Sequence, residues 1–291
     1  MQLLKQRDFS AFFSDTFLFI RENGSHFFIN YFTINGVFLL VTFLKSYFIG
    51  VGETLPVMIE LLYVLFTLFF GVLNWTFVTI YMIIYSERGL DFNYKDILGY
   101  YKQNIGKIIV FLLVTILLMI PIIIVFYIAM LILLITIVGP FLLYAALFIW
   151  LALAFYEYLY TDKPIFESYG YAWKLFTKKF WATTGSTALL YFVVLIIYGV
   201  ALSLTGLFSS FLEMNSTDAL DLAMKLQKGF SQPAVLVVMM FFSVLLVILQ
   251  VSQGIIYFSQ KEQLENISAK DDIDQIGKDE DEIDQLSKIE F

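Results

Sequence analysis

The chain has 291 residues, of which 60% are hydrophobic and only 15% are charged, and its mean hydropathy is +0.81. Soluble domains contain roughly 45–50% apolar and about 25% charged residues, so this composition excludes a soluble enzyme, a disordered chain and a nucleic-acid-binding protein, and predicts an integral membrane protein. The formal net charge of −7 comes entirely from residues 261–291, because acids and bases are equal in number over residues 1–260.

The first unit begins with an amphipathic segment over residues 8–22. Phe12, Phe13 and Phe17 lie on one helical face and polar side chains on the other. This pattern is typical of a helix lying in the headgroup plane with its aromatic face in the acyl region. Two apolar stretches follow, at 26–48 and 56–85, each long enough to cross a bilayer core about 30 Å thick.

The second unit repeats this order, with an amphipathic segment near 94–105 and crossings at 105–129 and 134–160. No charged residue occurs between Lys107 and Glu157, so the chain must turn within apolar sequence. Two positions for this turn stay open, residues 129–133 and the Gly139-Pro140 pair, which is the stronger helix breaker.

The third unit has its amphipathic segment at 164–180 and its crossings at 181–208 and 234–258. We expect this segment to bind lipid or the interface through Trp173, Trp181 and three lysines, Lys174, Lys178 and Lys179. The predicted fold is therefore all-α, with six transmembrane helices in three repeats of an interfacial helix and a helical hairpin. A transmembrane domain would span 1–260, and 261–291 would form an acidic, disordered cytoplasmic tail.

Basic residues predict the orientation, because they favour the cytoplasmic ends of short loops. Six crossings place 15 of the 18 Lys and Arg residues on one side, against Lys45, Lys225 and Lys228 on the other. Both termini are thus expected in the cytoplasm of a bacterium, with the chain in its inner membrane.

Polar side chains inside the predicted crossings are candidate sites, because such groups are costly in hydrocarbon. They are Glu60, Asn74, Gln250 and Gln253. Each has a structural interpretation as well: Glu60 reaches the outer interface, and the amides bond between helices. The alternative is a polar cavity lined by Asn74 and Gln253.

Glu157, at the inner end of the fourth crossing, is the acidic residue most strongly indicated as an ion-pair partner or site. An ion pair with Lys174, Lys178 or Lys179 would hold the third amphipathic helix against the bundle, and a functional site there is the alternative.

The acidic tail contains a short repeat, in which Ile-Asp-Gln-Ile-Gly-Lys at 273–278 recurs as Ile-Asp-Gln-Leu-Ser-Lys at 283–288. Either the tail is simply solvated, or its regularly placed Ile and Leu dock on a cytosolic partner.

Residues 157–181 read EYLYTDKPIFESYGYAWKLFTKKFW. This stretch resembles the segment after the fourth crossing in a bacterial six-helix family that includes the membrane domain of some glycerophosphodiester phosphodiesterases. Ser168 and Ala172 hold its small-residue positions, although the small residues are swapped and no Gly precedes Pro164. The resemblance implies the six-helix fold over about 8–260, and no phosphodiesterase activity, because that domain is absent.

Catalytic motifs of the metalloprotease, serine-hydrolase and phosphate-loop types do not occur in the sequence. With no cysteine and a single histidine, His26, we expect no metal and no cofactor. The expected function is a non-enzymatic scaffold or accessory subunit that binds membrane lipids, a membrane-protein complex, or both. The alternatives are a transporter or channel for a small or amphipathic solute and, third, a lipid-modifying enzyme.

Overall fold

The structure is a computed structural model, which describes residues 1–49, 54–136, 138–205, 224, 229–230 and 232–267. It is all-α over these residues, and six of the main helices, all except α5, are long and apolar enough to span a membrane. This confirms an all-α, multi-pass membrane protein. In chain order the helices are α1 (Phe9–Phe48), α2 (Val57–Arg88), α3 (Tyr94–Leu133), α4 (Val138–Tyr160), α5 (Ile165–Lys178), α6 (Phe180–Leu204) and α7 (Pro233–Glu265).

The first two amphipathic segments are not separate helices, which differs from the sequence-based expectation. Residues 8–22 and 94–105 form the beginnings of α1 and α3, each 40 residues long. At 1.5 Å per residue, each helix is about 60 Å long, twice the thickness of a bilayer core. Neither junction contains a proline, and a glycine such as Gly24 costs only about 1 kcal/mol in a helix, too little to end it.

Both long helices begin at side-chain caps. The carboxylate of Asp8, just before α1, accepts a hydrogen bond from the backbone N–H of Ala11 at 2.9 Å. Asn93 and Asp96 form a reciprocal capping box at the start of α3. Each cap satisfies backbone donors that the first helical turn leaves free, so these starts are fixed by local sequence.

The chain turns between α3 and α4 at residues 134–136, between the two predicted positions. Gly139 and Pro140 lie in the first turn of α4, where a proline removes no helical hydrogen bond. The hydroxyl of Thr136 accepts a bond from the Gly139 N–H at 3.1 Å. Residue 137 and the end of the predicted fifth crossing, residues 206–208, lie outside the described residues.

Among the helices in the described part of the chain, only α5 is a separate amphipathic helix. Pro164 precedes its first residue, and Lys179 ends it with a non-helical backbone (φ −133°, ψ 51°) before α6 begins at Phe180. Proline disfavours helical geometry in the residue before it, which separates α5 from α4.

The last helix occupies the centre of one end of the bundle. α7 contacts α1, α2, α4, α5 and α6, and every residue from Val251 to Glu262 is buried. The expected domain boundary after residue 260 therefore falls within a packed helix. Residues 261–265 belong to the bundle, and the predicted tail repeats lie outside the described residues.

Candidate functional site

A buried carboxylate, Glu157, joins three parts of the bundle at the C-terminal ends of α4 and α7. Its side chain is fully buried. Oε1 accepts a hydrogen bond from the Lys163 ammonium at 2.5 Å, and Oε2 accepts from the Tyr257 hydroxyl at 2.7 Å and the Lys261 ammonium at 3.0 Å. We call these four residues the inner clamp.

The local sequence explains why the clamp forms. Tyr257 and Lys261 are one turn apart on α7 and so share a face. Lys163 follows the end of α4 in the short loop before Pro164, which returns its ammonium group to Glu157. Charges of both signs meet here, which offsets the desolvation that burying an isolated charge would cost.

The clamp continues into α5 through Tyr171. The Lys163 ammonium lies 3.5 Å from the centre of the Tyr171 ring, a cation–π contact. The Tyr171 hydroxyl donates to the carboxylate of Glu265, which also lies 3.8 Å from Lys261. Burial, together with the Glu265 carboxylate, raises the pKa of Tyr171 above its usual range, so the hydroxyl remains a donor. α5 is thereby tied to the end of α7.

The predicted partners of Glu157 were wrong. Lys178 donates to the backbone carbonyl of Gln263 at 2.6 Å, and Lys179 to that of Arg7 at 2.9 Å. Lys174 is exposed, on the face of α5 that points away from the bundle. Sequence reasoning counted Lys261 as a cation of a solvated tail, whereas only 6% of its side chain is exposed.

The aromatic residues expected to contact lipid differ in how far they are exposed. Trp173 and Trp181 are exposed, at 55% and 73%, and Phe17 at 45%. Phe13 is half-buried beside Phe17. Phe12 is fully buried in the core, so its assignment to the lipid-facing surface was wrong. The reason is that this part of α1 packs along the bundle instead of lying apart from it.

The four predicted intramembrane polar residues do not form one site. Glu60 accepts from the backbone N–H of Leu55 at 3.0 Å and so stabilises the start of α2. Asn74 accepts from the Tyr31 hydroxyl at 2.8 Å, a bond between α1 and α2. The Gln250 carbonyl oxygen and the Gln253 amide nitrogen are buried without a hydrogen-bond partner.

A row of unpartnered polar groups continues along α7. The Ser259 hydroxyl and both amide atoms of Gln260 are buried without partners, on residues exposed by 1% or less. No polar residue after Gln253 was predicted as a candidate site, because the predicted sixth crossing ends at residue 258. The sequence does contain a signal for this row, because the last helix has several Ser and Gln residues and no charged residue before Lys261.

Two further polar side chains, Arg7 and His26, hold segments of the chain together but were not predicted as candidate sites. Arg7 has a fully buried side chain, which pairs with Asp15 at 2.7 Å and donates to nearby backbone carbonyls. His26 links α1 to α2 and to the loop before α3 through the Tyr81 hydroxyl at 2.8 Å and the Phe92 carbonyl at 2.7 Å. A carbonyl only accepts, so we assign the proton to Nε2 and an acceptor role toward Tyr81 to Nδ1.

The chemistry of the clamp is that of a structural anchor. Both Glu157 oxygens are engaged by donors, which leaves the carboxylate little capacity for proton transfer to a substrate. Within the described ranges, no group of three or more His, Cys, Asp or Glu side chains is arranged to hold a metal ion.

Comparison of the chain with protein-family models, curated proteins and solved structures found no match. The resemblance to the six-helix family stays a prediction.

Proposed function

We propose that this protein is a non-enzymatic scaffold or accessory subunit of the bacterial inner membrane, with both termini in the cytoplasm. Its binding surface is the exposed face of α5, which binds membrane lipid or another membrane protein. The observation that carries this proposal is the way α5 is held. The inner clamp and Tyr171 fix one face of α5, while Trp173 and Lys174 on α5 and Trp181 at the start of α6 are exposed.

A rigidly held, exposed surface favours recognition, because less conformational freedom is lost on binding than with a mobile segment. Aromatic and basic side chains suit the headgroup region of a membrane or the polar rim of a membrane-protein interface. The saturated Glu157 carboxylate also supports a holding role over acid–base catalysis.

A transporter or channel is the second candidate, and the buried polar row on α7 favours it. Gln253 and Gln260 bring amide groups without partners into the bundle. Such groups are expensive unless water or a solute satisfies them.

The two functions are separated by two double variants of the full-length protein. Trp173→Ala with Lys174→Ala removes two exposed side chains of α5, and Gln253→Leu with Gln260→Leu removes two buried amides of α7. In mild detergent, we expect a stoichiometric lipid or protein component that the α5 variant loses and the α7 variant keeps. Solute flux in proteoliposomes that the α7 variant abolishes, with its thermal unfolding transition retained, would contradict the scaffold and support the transporter.

A further inference from the structure

An apolar cleft of about 540 Å³ opens between α3, α4 and α5. Its volume is within the range of about 300–1,000 Å³ that small-molecule sites occupy. One wall runs along α3 from Pro121 to Ala129, the opposite wall includes Ala146 and Trp150 of α4, and aromatic side chains of α5 close one end. Every lining residue is apolar, so the cleft suits a hydrocarbon chain.

Two polar side chains of α5, Trp173 and Lys174, are adjacent in sequence and exposed, and only the first of them lines the cleft. In the part of the chain that the structure describes, neither the Trp173 indole N–H nor the Lys174 ammonium has a hydrogen-bond or ion-pair partner. The comparable groups nearby are occupied: the Trp150 indole donates to the Tyr169 carbonyl at 3.4 Å, and Lys178 and Lys179 donate to backbone carbonyls.

Selectivity for an occupant must come from these polar groups. A lipid chain is already in hydrocarbon before it enters the cleft, so moving it there gains packing and little hydrophobic free energy. An indole donor that lines the cleft and a positive charge on the next residue of the chain favour a negatively charged headgroup over a zwitterionic one.

We propose that the cleft binds one anionic glycerophospholipid, with an acyl chain between α3 and α4 and the phosphate group on Lys174 and the Trp173 indole. The inference rests on the proposed function, since it names the ligand of the same α5 surface. A transmembrane helix of another protein is the competing occupant of the cleft.

The test is native mass spectrometry of the full-length protein, taken from nanodiscs that contain equal amounts of phosphatidylglycerol and phosphatidylcholine. We expect one phosphatidylglycerol to be retained in preference to phosphatidylcholine. Lys174→Gln should reduce the preference about fivefold, the change in affinity that one lysine near an anionic surface gives. Lys102→Gln is the matched control, because it removes an exposed lysine of α3 away from the cleft, and it should leave the preference intact.

A second pair of variants tests the cleft itself. Ala146→Phe places a ring inside it and should abolish retention, whereas Ile128→Phe places the same ring on the exposed side of α3 and should not. Thermal unfolding confirms that each variant folds. Equal retention of both lipids by the wild type, or the same retention by Ala146→Phe and Ile128→Phe, would overturn the inference. A protein component that the α5 double variant loses, with no preference for anionic lipid, would overturn it and leave the proposed function standing.

Discussion

Glu157 shows at the residue scale how a buried charge stabilises a membrane bundle. Its three donors come from the loop after α4 and from α7, so one carboxylate connects segments that are about 100 residues apart in sequence. A buried pair contributes little net free energy, but removing one partner leaves the others as uncompensated charges.

Glu157→Gln should therefore be strongly destabilising. The substitution keeps the shape of the side chain but leaves Lys163 and Lys261 without a counter-charge, and we expect a loss of about 3–5 kcal/mol in the free energy of unfolding. Denaturant or thermal unfolding in detergent measures it. The matched control is Asp162→Asn, which breaks the exposed pair with Lys107 and should leave stability unchanged. Equal effects of the two substitutions would count against the clamp.

Gly254 lies where α7 packs tightly against side chains of α2 and α4. A Cβ atom at this position would lie 2.6 Å from the Tyr156 hydroxyl oxygen and 3.0 Å from the Met82 side chain. Gly254→Ala should destabilise the bundle by about 1–3 kcal/mol through overpacking.

Two further variants separate this clash from an effect on the helix itself. Tyr156→Phe removes the nearest atom and should restore part of the stability lost in Gly254→Ala. Gly199→Ala, on α6 with no atom within 4 Å of the added methyl group, should be neutral or stabilising. A Gly254→Ala variant as stable as Gly199→Ala would contradict the packing described for α7.

At the scale of the helices, α1 is one continuous element, although its two halves differ in pattern. Ser25→Pro tests this directly, because proline removes a helical hydrogen bond and clashes with the preceding turn. We expect a loss of about 3 kcal/mol or more in the free energy of unfolding. Ser25→Ala is the control and should be neutral. A Ser25→Pro variant with wild-type stability would instead support a separate interfacial helix over residues 8–22.

The difference between expectation and structure has a physical cause here. The length and apolar composition of the stretches correctly located six crossings, because both depend only on the local sequence. Hydrophobic periodicity did not distinguish a helix face that lies on lipid from one that packs on another helix, since both are apolar. Phe12 and Trp173 were both predicted to contact lipid, yet Phe12 is buried in the core and Trp173 is exposed.

The pairing of Glu157 with Lys261 was unpredictable for a related reason. The sequence marked the acid and the basic residues near it, but Lys261 is about 100 residues away along the chain. Its position depends on how α7 packs at the centre, and charge patterns do not carry that information. Of the three amphipathic segments, only α5 has a proline beside it as a local break, and Pro164 separates this surface helix from the crossing before it, whereas the break before α6 lies at Lys179.

For the whole molecule, the bundle extends beyond the end of the predicted transmembrane domain. Truncation after Ile267 should leave unfolding unchanged, because it retains Lys261 and Glu265. Truncation after Gln260 should lower the thermal transition, since it removes the α7 cation of the clamp and the acceptor of the Tyr171 hydroxyl. Identical transitions for the two truncations would show that residues 261–265 do not contribute to the bundle.

The most direct test of the six-crossing arrangement uses the absence of native cysteine. Thr54→Cys lies in the connection between α1 and α2, and Asp162→Cys in the exposed loop between α4 and α5. In intact bacterial cells, a membrane-impermeant maleimide should label Thr54→Cys and should label Asp162→Cys only after permeabilisation. Labelling of both positions from the same side, or in the reverse order, would contradict the proposed topology and the placement of α5 at the cytoplasmic leaflet.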